Sequence, residues 1–337
     1  MSILNLLKGN IPLVHPTCIF LDDSKEAHWL LANEIDRSKI KWQSTVNWKD
    51  IGCDILIATS CNPEPRYEEE ERTHISANMS YLKSHLQKCI RRSNANKAIK
   101  TAVHYYSLDC VDFLRRLAII AIEDSLPLDG YCTLIWYLVA SSNGYHMSAV
   151  DVCWVLGYVY DLCQCPYYEQ FKVDNEIQMR NMKLRSLNTH GRDLCYSIML
   201  RQAYGGMKGD KAMCIAAAQI WSGRSRVNGE HLKLLKRDPI FISFPEDCLK
   251  PDEWIVAAID FHCYPGIVLN LAEKHDEFSQ EEIKDAIWHC SSSCTNKANI
   301  SMDLLQRNKD SIKHNKVWKA IKKDFLSLAK FMIHLEK

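Results

Sequence analysis

Two stretches of this 337-residue chain concentrate positive charge. Between Lys83 and Lys100 stand six basic residues and no acidic one, and between Arg307 and Lys323 stand seven against the single Asp310. Lysine and arginine at this density neutralise phosphates and hold nucleic acid without reading its sequence. The candidate contacts are Lys88, Arg91, Arg92 and Lys97 in the first stretch and Lys316, Lys319 and Lys323 in the second. A third feature is the run Gly205-Gly206-Met207-Lys208-Gly209-Asp210. Gly205, Gly206 and Gly209 let backbone amides approach a phosphate, Lys208 adds a charge, and a helix beginning at Asp210 would present its positive end. The competing reading is local: the glycines end one helix and Asp210 caps the next. Arg115 and Arg116 form another pair, expected to meet Glu123 and Asp124 within the fold.

Residues for other chemistry are present, but no complete catalytic motif is. Asp22-Asp23 follows a strand-like run, where carboxylates can hold magnesium; capping of a following helix by Asp23 or Ser24 is the preferred reading. Asp260, His262 and Cys263 have the types of a Cys-His nucleophile, but catalytic pairs are usually assembled from distant segments. Zinc sites pair ligands two to four residues apart. Cys290 and Cys294 have that spacing, while Cys163 with Cys165, His262 with Cys263, and His289 with Cys290 do not. No metal and no cofactor is expected. The reading leans away from an enzyme.

The elements that must position these groups are mainly helical. Hydrophobic residues make up 47% and charged residues 25%, ordinary for a globular chain. The formal net charge of +1 leaves any nucleic-acid role to local patches. Residues 1–75 predict a small β-α-β-like segment: strands at Thr17–Leu21 and Asp54–Ala58, with a helix from Ser24 to Arg37 between them. From Ser76 the 3.6-residue period dominates. Ser76, Asn94, Asp109 and Asp129 open successive helices, and Ser148 with Asp151 makes a capping box for a fifth. Residues 76–166 thus predict one helical domain and 167–337 a second helical block. In that block helices are expected at 193–204, 210–221, 254–263, from Ser279 with Glu282 to Cys290, and at 315–335. The architecture expected is a multi-helix bundle with a small α/β-like N-terminal segment. Fifteen cysteines and a start, Met1 to Leu13, that lacks a cleavage pattern and is too short to span a bilayer predict reduced thiols in the cytoplasm or nucleus, with no membrane partner.

One segment resembles a known family. His85-Leu86-Gln87-Lys88-Cys89-Ile90-Arg91-Arg92-Ser93-Asn94, followed by Ala95, Ala98 and Ala102, is similar to the K-S-I-R-x-S-D stretch and alanine-rich helix in the helical collar of replication-associated AAA+ ATPases. The group is that of recombination factor A and the Werner-helicase-interacting ATPase. Phe113-Leu114-Arg115-Arg116-Leu117 and then Ala121-Ile122-Glu123-Asp124 follow in the family's order. The resemblance covers about a quarter of the chain. Asn94 stands where the family has Asp, Ser125 where it has Ile, and the phosphate loop G-x-x-x-x-G-K-[ST] is absent. It therefore implies a collar-like fold used for self-assembly and replication-protein contacts, without ATP hydrolysis.

Combined with the basic segments, this predicts a non-enzymatic helical scaffold in replication or repair that forms homo-oligomers and contacts nucleic acid. Two alternatives stand beside it. One is a structural protein, viral or organellar, that binds only protein; the other is a metal-dependent nucleic-acid-processing enzyme.

Overall fold

The computed structural model describes residues 17–31, 33–49, 52–62, 64–65, 67, 78–171, 187–226, 230–301 and 311–335. The cap expected at Ser76, the acidic run 68–71 and residues 307–310 of the second basic stretch lie outside them. The fold is mainly α, with eleven α-helices among the described residues and one small four-stranded sheet near the N-terminus. No helix among these residues is long and apolar enough to cross a membrane.

The chain forms two compact units that do not follow consecutive stretches. The first comprises Met1–Glu68, Cys110–Tyr158 and Phe171–Ile242; the second comprises Glu69–Asp109, Val159–Gln170 and Ser243–Lys337. The 76–166 segment, expected as one domain, contributes to both. The physical reason lies in α4 (Tyr131–Ser141), whose residues 131 to 140 are all buried except Cys132. A helix apolar on every side must be surrounded. In the first unit it is covered by the sheet, by α3 (Cys110–Glu123) and by α6 (Thr189–Ala203).

That sheet has the order β2-β1-β4-β3, from β1 (Cys18–Leu21), β2 (Ala27–Leu30), β3 (Trp42–Trp48) and β4 (Cys53–Thr59). β1 runs parallel to β4 and antiparallel to β2; β3 and β4 pair antiparallel from Trp42↔Thr59 to Trp48↔Cys53. The helix expected over 24–37 is therefore a tight hairpin and a strand. Asp22 decides the turn: its Oδ1 accepts from Ser24 N (2.9 Å), Ser24 Oγ (2.6 Å) and Glu26 N (3.0 Å). Side-chain bonds of this type compete with the helical ladder, and Lys25 completes the turn at φ 64°. Asp23 accepts from Ser60 Oγ (2.9 Å) and caps no helix. Burial of Trp29 fixes β2, with the ring against Trp48 and Tyr196 and Nε1 donating to Ser197 Oγ at 3.0 Å.

Lys25 reaches from this hairpin to the fully buried Asp151, 2.8 Å away. Asp151 also accepts from Tyr137 Oη (2.8 Å), Tyr145 Oη (3.0 Å), Ser148 N (2.9 Å) and Ser148 Oγ (3.0 Å). A buried carboxylate is tolerable when its lone pairs are filled in this way. The Ser148–Asp151 capping box at the start of α5 (Ala149–Gln164) is present as the sequence predicts. The first unit is completed by α7 (Lys208–Arg226) and the short α8 (Glu230–Lys233).

The second unit is built on α1 (Met79–Arg91), α2 (Ala95–Leu108), α9 (Gly266–Lys274), α10 (Gln280–Ile287) and α11 (Ser311–Leu335). Asn78 caps α1, Asn94 caps α2, and Ser279 with Glu282 forms the capping box of α10. The helix expected at 254–263 is replaced by 3-10 turns at Pro251–Glu253 and Val256–Ala258. α10 passes into a π-turn at Trp288–Ser292, and two residue pairs make the parallel strands β5 (Tyr167–Tyr168) and β6 (Ala298–Asn299).

Candidate functional site

Three basic residues of α1 and α2, Lys88, Arg91 and Lys100, turn inward. Lys88 is 3% exposed, and its ammonium donates to Ser84 Oγ (2.9 Å) and to the fully buried Asp260 (3.1 Å). Burial pushes the Asp260 carboxyl up, but the hydrogen-bonding His262 and the Lys88 charge outweigh it and hold it well below the usual carboxylate range. Arg91, also buried, donates to the carbonyl of Ser292 (2.6 Å), and its guanidinium lies 5.9 Å from the Trp288 ring. Arg92 donates to the carbonyl of Ser291 at 2.7 Å. Lys100 pairs with Glu253 at 2.8 Å, and Lys97 is half-exposed. The expected basic face is thus an internal framework that ties α1 to the 251–263 turns and the π-turn. Asp260 and His262, weighed as parts of a nucleophile system, serve the same framework: His262 N and Nδ1 lie 2.9 and 3.1 Å from Asp260 Oδ1.

α11 behaves differently. Val317, Ile321, Phe325, Ala329 and Ile333 recur every fourth residue and are buried. On the opposite face Lys316, Lys319, Lys323 and Lys330 are exposed, and Lys322 flanks them. Among the described residues none of these five lysines has a carboxylate within ion-pair distance. Two carboxylates near the helix are engaged elsewhere: Glu282 with Lys313 (3.1 Å) and Asp324 with Lys274 (3.2 Å) and His275 (3.1 Å). The lysine stripe follows the helix axis for about 20 Å at 1.5 Å per residue. Beside it an open groove of about 900 Å³ is lined by Glu277, Phe278, Asn315, Lys316, Lys319 and Ala320.

The glycine run is less open than its composition suggests. α7 begins at Lys208, and the Asp210 carboxylate sits over its first turn, 3.4 Å from Met207 N. Gly206 adopts φ 123°, and a side chain there would meet that carboxylate. Arg201 donates to the Gly205 carbonyl (2.8 Å). A phosphate approaching Gly205, Gly206 and Gly209 would meet the aspartate already at the helix end, although Lys208 is exposed. Among the described residues no His, Cys, Asp and Glu side chains gather in a group able to hold a metal. Burial pushes Cys163 up to about 12, the behaviour of a packed thiol.

In the first unit a cavity of about 350 Å³ brings together groups that sequence reasoning missed: Lys25, His28, Asp129, His190, Asp193 and Arg237. Asp129, expected as a helix cap, is displaced by Gly130. That glycine takes φ 93° as the first turn of α4 begins, and a Cβ on it would press on the Trp154 ring at 2.9 Å. The Asp129 carboxylate instead stands 3.1 Å from His190 Nε2, and His28 Nδ1 lies 3.6 Å from Asp193. Burial pushes the Asp129 carboxyl up, against the pull of His190, while the Asp193 carboxylate beside His28 raises that imidazole. Two imidazoles, each with a carboxylate partner, are components of acid–base chemistry. Each histidine precedes or follows its partner by more than sixty residues, so no local pattern announces the pairs.

No family model, no curated protein and no solved structure matches this chain.

Proposed function

We propose that the protein is a non-enzymatic helical scaffold in nucleic-acid transactions, and that it holds the phosphate backbone along the lysine face of α11. The observation that carries this reading is the set of five exposed lysines, Lys316, Lys319, Lys322, Lys323 and Lys330, without a carboxylate partner among the described residues. Charge compensated inside the fold attracts little, whereas uncompensated surface charge releases counterions from a polyanion. The resemblance of residues 85–124 to the collar of replication-associated ATPases supports a scaffold that assembles with itself or with replication proteins.

The test is fluorescence anisotropy of a labelled oligonucleotide across a salt series, on the full chain and on Lys316→Ala/Lys319→Ala/Lys323→Ala. The expected result is affinity that falls steeply with salt, and a log–log slope smaller by about 2 to 3 in the triple variant, because each phosphate left without its lysine lowers the slope by somewhat less than one unit. Equal slopes for the two proteins, or no binding at low salt, would move the reading to a scaffold that contacts only protein. Light scattering on the same samples reads the expected oligomer.

A further inference from the structure

The groove beside the lysine face has an aromatic wall. Phe278 is half-exposed and lies immediately before Ser279, the cap of α10. A residue in this position commonly packs one side against the fourth residue of the helix, here Ile283. Phe278 N also donates to the carbonyl of His275 at 3.1 Å, which closes the turn before α10. Lys316, Lys319 and the exposed Asn315 line the same groove. A second aromatic ring, Phe331, is 58% exposed and adjoins Lys330 on the same helix. It lies about 20 Å along the axis from Lys316, at 1.5 Å per residue.

We infer that this groove takes single-stranded nucleic acid, with a base stacked on Phe278 while Lys316 and Lys319 hold the phosphates on either side. The inference rests on the proposed role of the α11 lysines and adds the form of the ligand. A duplex presents only phosphates and groove edges to such a surface, because its bases are already stacked on one another. A single strand offers free base faces, and one base on an aromatic ring adds affinity that every base type can supply. Glu277 fits this arrangement only as an acceptor at the rim, since its carboxylate repels phosphate; it lies 4.0 Å from His275. Charge complementarity selects the polyanion, and the ring selects its unpaired form.

The experiment uses the full chain with labelled 20-nucleotide oligo-dT, oligo-U and a 20-base-pair duplex DNA, at low and moderate salt. Phe278→Leu retains an apolar residue before the cap but removes the π-face, and a melting curve checks that the variant is folded. The expected result is a loss of about tenfold in affinity for one or both single strands, with duplex affinity changed less than twofold. The dT and U arms tell whether the strand is DNA, RNA or either. If Phe278→Leu weakens strand and duplex alike, or weakens neither while the lysine triple variant still loses binding, stacking is overturned and the lysine interface stands. If the lysine triple variant also binds like the parent, both readings fall together.

Discussion

The segments 83–100 and 307–323 carry the same excess of six positive charges, yet among the described residues the cations of α1 and α2 and those of α11 have opposite fates. In α1 and α2 the cations at positions 88, 91 and 100 are buried, and each has an acceptor supplied by residues 251–263 or by the π-turn. In α11 the buried stripe is purely apolar, and the lysines are left on the far side. The difference lies in what shares the helix. α1 offers Leu82, Leu86, Cys89 and Ile90, but ten of its thirteen residues are buried, so its cations go inside with them. α11 needs only one face covered. Charge density in a sequence therefore measures potential for binding, and burial decides whether the potential is used internally.

The sharpest break in that comparison is Lys88→Met. Removing one partner of a buried pair leaves the Asp260 carboxylate with His262 but no ammonium and should destabilise the protein by about 3 kcal/mol in denaturant unfolding. Adding Asp260→Leu should restore much of this loss, because a well-packed apolar pair of similar volume is often neutral. Arg91→Ala comes next. It leaves the Ser292 carbonyl without its charged donor, at a cost of about 1.5–3 kcal/mol.

The third prediction is pH-dependent. His85 is fully buried against Thr101 (2.7 Å) and Trp254, and burial, aided by the Lys97 charge, pushes it down to about 3. Between pH 6.5 and 3 the unfolded chain binds a proton at this site that the folded chain does not. Stability must therefore fall as the pH falls through that window, by about 2 kcal/mol from this group between pH 7 and pH 5. His85→Phe should flatten that part of the stability profile. The smallest effect sharpens the contrast from the other side: the triple alanine variant of Lys316, Lys319 and Lys323 should melt within about 0.5 kcal/mol per site of the parent. A large loss of stability there would place α11's lysines in the same class as those of α1.

Much of the helical plan was legible. Asn94, the Ser148–Asp151 box, the Ser279–Glu282 box and the α11 stripe are local signals, and each acts within one or two turns of its own helix. The misreadings share one cause. Residues 24–37 have an acceptable helical period, but burial of Trp29 and the Asp22 turn select a strand. The 254–263 stretch is apolar enough for a helix, yet Ala257, Ala258 and Ile259 are buried in 3-10 turns and Asp260 is held by Lys88. Asp129 has the chemistry of a cap, but the left-handed Gly130 against Trp154 turns the chain first.

The sequence alone settled the mainly helical class, most helix starts and the two concentrations of charge, because propensity, capping and period are properties of neighbours along the chain. Only the tertiary structure decided which cations reach solvent, which histidine meets which carboxylate in the 350 Å³ cavity, and where Phe278 stands relative to Lys316. Those are relations between residues far apart in sequence. They are fixed by which apolar faces bury one another and by the need to give each buried polar group a partner.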